Sequence, residues 1–99
     1  MSGVTVAATM WKGAGFPLAR AAGRLTVDSE QVVWRPVLRT PFFDSVTIRV
    51  ADISSAHVGG VPLVGPDLRI ETRGETFRFT VLRRGRLREC LSAAGIAIT

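Results

Sequence analysis

The segment 68–94, LRIETRGETFRFTVLRRGRLRECLSAA, decides how the chain is read. Before Arg73-Gly74, Leu68, Ile70 and Thr72 alternate with Arg69 and Glu71. After it, Phe77, Phe79 and Val81 alternate with Thr76, Arg78 and Thr80. A period of two on both sides marks a β-hairpin. An even-length turn at Arg73-Gly74 pairs Ile70 with Phe77 and Leu68 with Phe79, giving one apolar face, whereas an odd loop would set Ile70 against Arg78. Arg69 then faces Arg78, a like-charged pair that Glu71 relieves diagonally. Beyond Val81 the period lengthens to 3.6. Leu87, Cys90, Leu91 and Ala94 fall on one stripe of a short helix, with Gly95 as its left-handed stop.

Upstream, the same period of two recurs. Val4, Val6 and Ala8 alternate with Thr5, Ala7 and Thr9, and Met10-Trp11 extends a first strand over 3–12. Gly13 to Pro17 reads as a turn, since Pro17 and the lack of a following helical pattern disfavour a phosphate loop. A second hairpin follows, closed by Asp28 to Gln31, which pairs Val27 with Val32 and Leu25 with Trp34 and places Arg24 and Arg35 near its open ends. Pro36 ends its second strand. A proline-bounded connection over 36–44 leads to a strand at Val46, Ile48 and Val50, then to a shorter one over 51–58 with Ile53 inward. Gly59 to Asp67 is a loop rich in glycine and proline. Trp34 and Trp11 are expected in the core. The tail Ile96-Ala97-Ile98 either frays or tucks beneath the sheet.

The expected fold is therefore mainly β with one C-terminal α-helix: about seven strands in a curled antiparallel barrel, capped by the helix. With 99 residues and 46% apolar content, residues 1–99 suit one domain with a single core. One cysteine excludes an internal disulfide, and one cysteine with one histidine builds no zinc site. The run Val4 to Met10 is too short for a membrane span and lacks the basic flank of a signal peptide. A reducing cytoplasm is the expected setting, with peripheral association at a membrane.

Net charge is +5, and Lys12 is the only lysine among the cations. Arginine excess has two readings, a coding preference shared with the abundant alanine, glycine and valine, or selection for planar recognition of phosphate and carboxylate. Arg83, Arg84, Arg86 and Arg88 crowd the start of the helix, where the backbone dipole already carries positive charge. They are the candidate anion-binding residues. The plainer alternative makes them a solvated face partnered by Glu89 and nearby acids. Arg39, Phe42 and Phe43 are a candidate membrane or partner loop, with the competing role of plugging a barrel end. Asp52, Ser54, Ser55 and His57 are too closely strung along one extended segment to form a triad. Cys90 reads as an inert core thiol. No base, nucleophile or metal cluster stands out, so an enzyme, a metal site and a cofactor are not expected.

Taken together, Gly23-Arg24-Leu25-Thr26-Val27, Val32-Val33-Trp34-Arg35-Pro36, Val50-Ala51-Asp52-Ile53, Leu68-Arg69-Ile70, Gly74 and Phe77-Arg78-Phe79 resemble the GRAM and bacterial PH-like families over about residues 21–95. The resemblance implies a PH superfold, two nearly orthogonal antiparallel sheets closed at one end by the helix, used to bind membranes, lipids or proteins. The chain has no dense basic cluster between its first two strands, where phosphoinositide-binding members hold their headgroup. The expected function is a non-enzymatic binding module that presents arginines to an anionic membrane surface, a lipid headgroup or an acidic protein partner. A protein-interaction or self-assembly module without lipid binding, and a nonspecific nucleic-acid binder, are the alternatives.

Overall fold

The computed structural model describes residues 3–12, 19–38, 43–59 and 67–99. They form seven antiparallel strands and one helix: β1 (Val4–Lys12), β2 (Ala19–Val27), β3 (Gln31–Pro36), β4 (Val46–Arg49), β5 (Ile53–Val58), β6 (Leu68–Thr72), β7 (Thr76–Val81) and α1 (Arg84–Ala93). All seven strands belong to one sheet in the order β4-β3-β2-β1-β7-β6-β5. Two meanders, β1 to β4 and β5 to β7, are joined where β1 pairs with β7. The barrel expected from sequence is thus an unclosed sheet, with β4 and β5 as its edges.

Both hairpins have the register that their apolar alternation requires. Leu68 faces Phe79 and Ile70 faces Phe77 in β6-β7, while Leu25 faces Trp34 and Val27 faces Val32 in β2-β3. A shift by one residue in either pair would turn the buried set outward. Asp28 fixes the second turn: its carboxylate accepts from the backbone N–H of Glu30 and of Gln31, each at 2.8 Å. The step from β4 to β5 differs from the sequence reading, because Val50–Asp52 forms a 3-10 turn and β5 begins only at Ile53. Ser54 is then an extra residue against β6, a bulge stitched down by its hydroxyl, which donates to the Glu71 carbonyl at 3.0 Å.

The inward side chains make one core: Val6, Ala8 and Met10 of β1, Leu25 and Val27 of β2, Val32 and Trp34 of β3, Leu68, Ile70 and Phe79 of the last hairpin, and Leu87 and Leu91 of α1. Trp34 is tilted against Phe43 and Phe79 at ring distances of 6.0 and 6.5 Å. Its indole N–H donates to the Ala8 carbonyl at 3.0 Å, so the buried nitrogen is satisfied. Trp11 is not a core residue. Since Val6, Ala8 and Met10 point inward, the period of two turns Trp11 to the outer face, where it is half-buried and donates to the Thr80 hydroxyl at 2.8 Å. Cys90, also expected inside, is half-buried on α1 with its thiol 3.4 Å from the Val27 carbonyl.

Gly95 ends the helix at φ 86°, and Ile96 N–H reaches back to the Leu91 carbonyl at 3.2 Å, the six-to-one bond of a left-handed helix stop. The tail does not fray: it tucks Ile96 into the core under the sheet and packs Ile98 against that core. It runs beside β5, with Ala56 N–H donating to Ala97 O at 2.8 Å and Thr99 N–H to Ala56 O at 2.9 Å, so part of that edge is covered.

At the other end of α1 the chain turns sharply at Arg83, a non-glycine residue in the left-handed region at φ 55°. That conformation costs an L-residue about 1–2 kcal/mol, partly offset on mutation by the greater freedom of glycine in the unfolded chain. Arg83→Gly is therefore expected to raise stability by about 0.5–1 kcal/mol in urea unfolding, whereas Arg83→Ala, which keeps the Cβ, gains nothing from the backbone.

Candidate functional site

Charge is segregated between the sheet and the rest of the chain. The strands hold Lys12, Arg20, Arg24, Arg35, Arg49, Arg69 and Arg78 but only one acid, Glu71. Seven cations against one carboxylate give the strands +6, and since the whole chain carries +5, all other residues together carry −1. The net positive charge is thus matched by the strands, while the helix start holds a second cationic cluster, Arg83, Arg84, Arg86 and Arg88 with Glu89. Alternation explains where the strand charge points: the inward positions are apolar, so Arg20, Arg24, Arg35, Arg49, Arg69 and Arg78 all stand exposed on the outer face.

Cross-strand register arranges these groups into rows. In one, Arg20 on β2 faces Trp11 on β1, which faces Arg78 on β7; Arg78 faces Arg69 on β6, which faces His57 on β5. Arg20 stacks over the Trp11 ring at 5.5 Å, a cation–π contact that holds the guanidinium against the sheet. Glu71 lies 3.5 Å from Arg69 and relieves the Arg69-Arg78 opposition, as the hairpin register predicts. Its carboxylate also accepts from the Ser55 hydroxyl at 3.0 Å. In the other arginine pair, Arg24 and Arg35 face each other across β2 and β3 in a shallow groove of about 490 Å³. Val37 and Leu38 follow immediately, 57% and 77% exposed.

The helix-start arginines fare differently. Arg84 sits 3.6 Å from the carboxylate of Asp67, which is 3% exposed and the only buried charged residue among those described. One acid partnering the helix start is thus Asp67, at the end of the Gly59 to Asp67 segment. Arg83, Arg86 and Arg88 are exposed, and Arg86 lines a groove that also contains Glu89 and Cys90. Of the candidate loop, Phe43 is buried against Trp34, 4% exposed, so it is unavailable to a membrane. Arg39 and Phe42 lie outside the described residues.

His57 is exposed on the outer face with its Nδ1 3.4 Å from the Thr99 hydroxyl, while Ser54 and Ser55 are occupied by Glu71. Among the described residues no group of three or more histidine, cysteine, aspartate or glutamate side chains is placed to hold a metal, and no helix is long and apolar enough to cross a membrane. Fold and surface define a small antiparallel β domain with one C-terminal helix and a cationic outer sheet face. No protein-family model matches the chain, and neither the curated proteins nor the solved structures contain a match to it.

Proposed function

We propose that this chain is a PH-like binding module that docks on an anionic membrane surface through the outer face of its sheet. The observation that carries the reading is the charge segregation: six exposed arginines with one acid among them, on the outer face of the strands, a balance equal to the whole net charge of +5. Such a face attracts anions over about a Debye length and falls silent in salt. Val37 and Leu38 beside the Arg24-Arg35 groove favour lipid over a purely acidic protein, because a bilayer interface accepts apolar side chains and cations together. The PH-like assignment is supported by the strand arrangement, a four-stranded meander joined through β1 and β7 to a three-stranded one, with a single helix after the last strand.

Co-sedimentation with vesicles tests the proposal. Binding is expected to phosphatidylcholine vesicles containing phosphatidylserine, not to phosphatidylcholine alone, and to disappear between about 0.1 and 1 M salt as the screening length falls from about 10 to 3 Å. A juxtamembrane arginine contributes about 1 kcal/mol, so removing two from the face weakens partitioning roughly 30-fold. Failure to bind anionic vesicles at low salt would overturn the membrane reading. Preference for single-stranded DNA or RNA over those vesicles would replace it with the nucleic-acid reading, to which the outward Trp11 between Arg20 and Arg78 lends an aromatic platform.

A further inference from the structure

We infer that Arg24 and Arg35 form one binding site for a phosphoryl group, held between them on the outer face of β2 and β3. This rests on and deepens the membrane reading, by naming the group that the face recognises. The two residues are direct cross-strand partners. Asp28 N–H donates to Gln31 O at the turn, and Val37 N–H to Ala22 O at the far end. Counting by twos between those bonds puts Arg24 and Arg35 at a hydrogen-bonded position, where paired Cα atoms are about 5.5 Å apart. Both side chains rise from that position on the same face, and both line the groove of about 490 Å³.

Like charges directly opposite one another are unfavourable unless something neutralises them. The sheet contains a second such pair for comparison. Arg69 and Arg78 have Glu71, 3.5 Å from Arg69, but Arg24 and Arg35 make no ion pair among the described residues. Asp28 lies in the same groove, yet the carboxylate oxygen that could reach toward the arginines is one half of a side chain already fixed by two backbone N–H donors of its own turn. With no carboxylate paired to them among the described residues, the two guanidiniums are open to an external anion.

The site is also rigid, which suits a small anion. Beneath it, Leu25 and Trp34 are buried, and Gly23 lies so close to the Arg35 carbonyl and the Trp34 ring that an added Cβ would sit 2.4 and 2.6 Å from them. The backbone carrying both arginines is pinned from below, so the ordering spent when an anion is gripped is confined to the two side chains. Two guanidiniums offer planar forks matched to phosphate oxygens, and of the Thr5 and Thr26 hydroxyls, hydrogen-bonded to each other at 3.0 Å on the groove wall, one keeps its hydrogen as a further donor. Val33, Pro36 and Val37 give the groove an apolar flank. An apolar flank beside a phosphate fork fits a phosphate monoester with an organic substituent, whether from phosphatidate in a bilayer or from a soluble ester.

The test uses glycerol 3-phosphate as the soluble probe and phosphatidate vesicles as the lipid one. In 15N-resolved titrations, the Nε–Hε resonances of Arg24 and Arg35 should shift saturably with glycerol 3-phosphate while those of Arg73 stay still. Arg24→Gln and Arg35→Gln should each weaken binding by about tenfold or more, and Arg73→Gln, an equal loss of charge on an exposed turn, should leave it unchanged. Both exposed variants should fold, and relief of the like-charge opposition should raise their melting temperature in the absence of phosphate. Vesicles of equal charge separate the two levels. Preference for phosphatidate over phosphatidylserine, lost in Arg24→Gln, supports the site on a membrane. Glycerol 3-phosphate binding without vesicle binding keeps the site and removes the membrane. Vesicle binding with no phosphatidate preference, and no resonance shift with glycerol 3-phosphate, overturns the site while leaving the membrane reading standing.

Discussion

Trp34→Ala is expected to cost about 3–5 kcal/mol, the range for removing a buried large aromatic side chain. Against the 5–15 kcal/mol that stabilises a domain of this size, that is enough to bring the protein near its unfolding midpoint at ordinary temperature. The cost has three parts. The side chain is almost wholly removed from water, its ring contacts with Phe43 and Phe79 are lost, and the Ala8 carbonyl loses its donor. Trp34→Phe keeps part of the packing and loses the indole N–H, so it should cost distinctly less than alanine. Gly23→Ala probes the same packing from the other side. Its new methyl would meet the Arg35 carbonyl at 2.4 Å and the Trp34 ring at 2.6 Å. A ring in a full core and a ladder backbone both resist displacement, which sets the cost at about 1–3 kcal/mol. Urea unfolding of the three variants checks the set. A Gly23→Ala protein as stable as the parent would show that β2 and β3 do not approach as closely as described.

The hairpins were legible because a period of two admits only one register that buries every large apolar residue. Ile70 against Phe77 and Leu25 against Trp34 follow from that alone. The helix was equally legible at Leu87 and Leu91, although Cys90 and Ala94 mark only the half-buried border of its stripe. The pairing of β1 with β7 was not, since it joins residues about seventy positions apart and no local pattern specifies it. Trp11 shows how residue type can mislead where position does not. Its bulk suggested the core, but it is odd in a strand whose even members, Val6, Ala8 and Met10, are buried, and the parity was present in the sequence.

The site was partly legible in the same way. Arg24 and Arg35 oppose each other as soon as Leu25 is paired with Trp34. Density favours the helix start instead: four arginines in six residues stand out in a sequence more than six spread over strands. Strand spacing hides a surface cluster, because neighbours on a sheet face are two apart along one strand and far apart in sequence across it. The signal for it is the placement of acids, for Glu71 is the only one on a strand.

The second large effect is expected at Asp67. Its backbone N–H donates to Phe79 O at 2.9 Å and its carbonyl accepts from Gly59 N–H at 2.8 Å, so the residue is held between β5 and β7. Its side chain then does what a further strand residue would do: Oδ1 accepts from the buried Val81 N–H at 2.9 Å, and Oδ2 lies 3.6 Å from Arg84 at the start of α1. Asp67→Ala strands the Val81 donor away from water, which costs about 1–3 kcal/mol, and removes the carboxylate beside Arg84 as well. Asp67→Asn retains an oxygen for Val81 and loses only the charge, so its cost should be the smaller. Urea unfolding ranks the two, and equal losses would show that the Val81 bond contributes nothing. Arg84→Glu acts on the same joint by placing a second carboxylate against a buried first one, and it should destabilise more than Arg86→Glu, whose side chain is exposed. Hydrogen exchange localises the damage: amides from Leu82 to Leu87 should lose protection before those of β2 and β3. That ordering bears on function. Arg84 is spent on joining helix to sheet, so loss of vesicle binding in an Arg84 variant reports on the fold, whereas loss in a folded Arg24 or Arg35 variant reports on the surface.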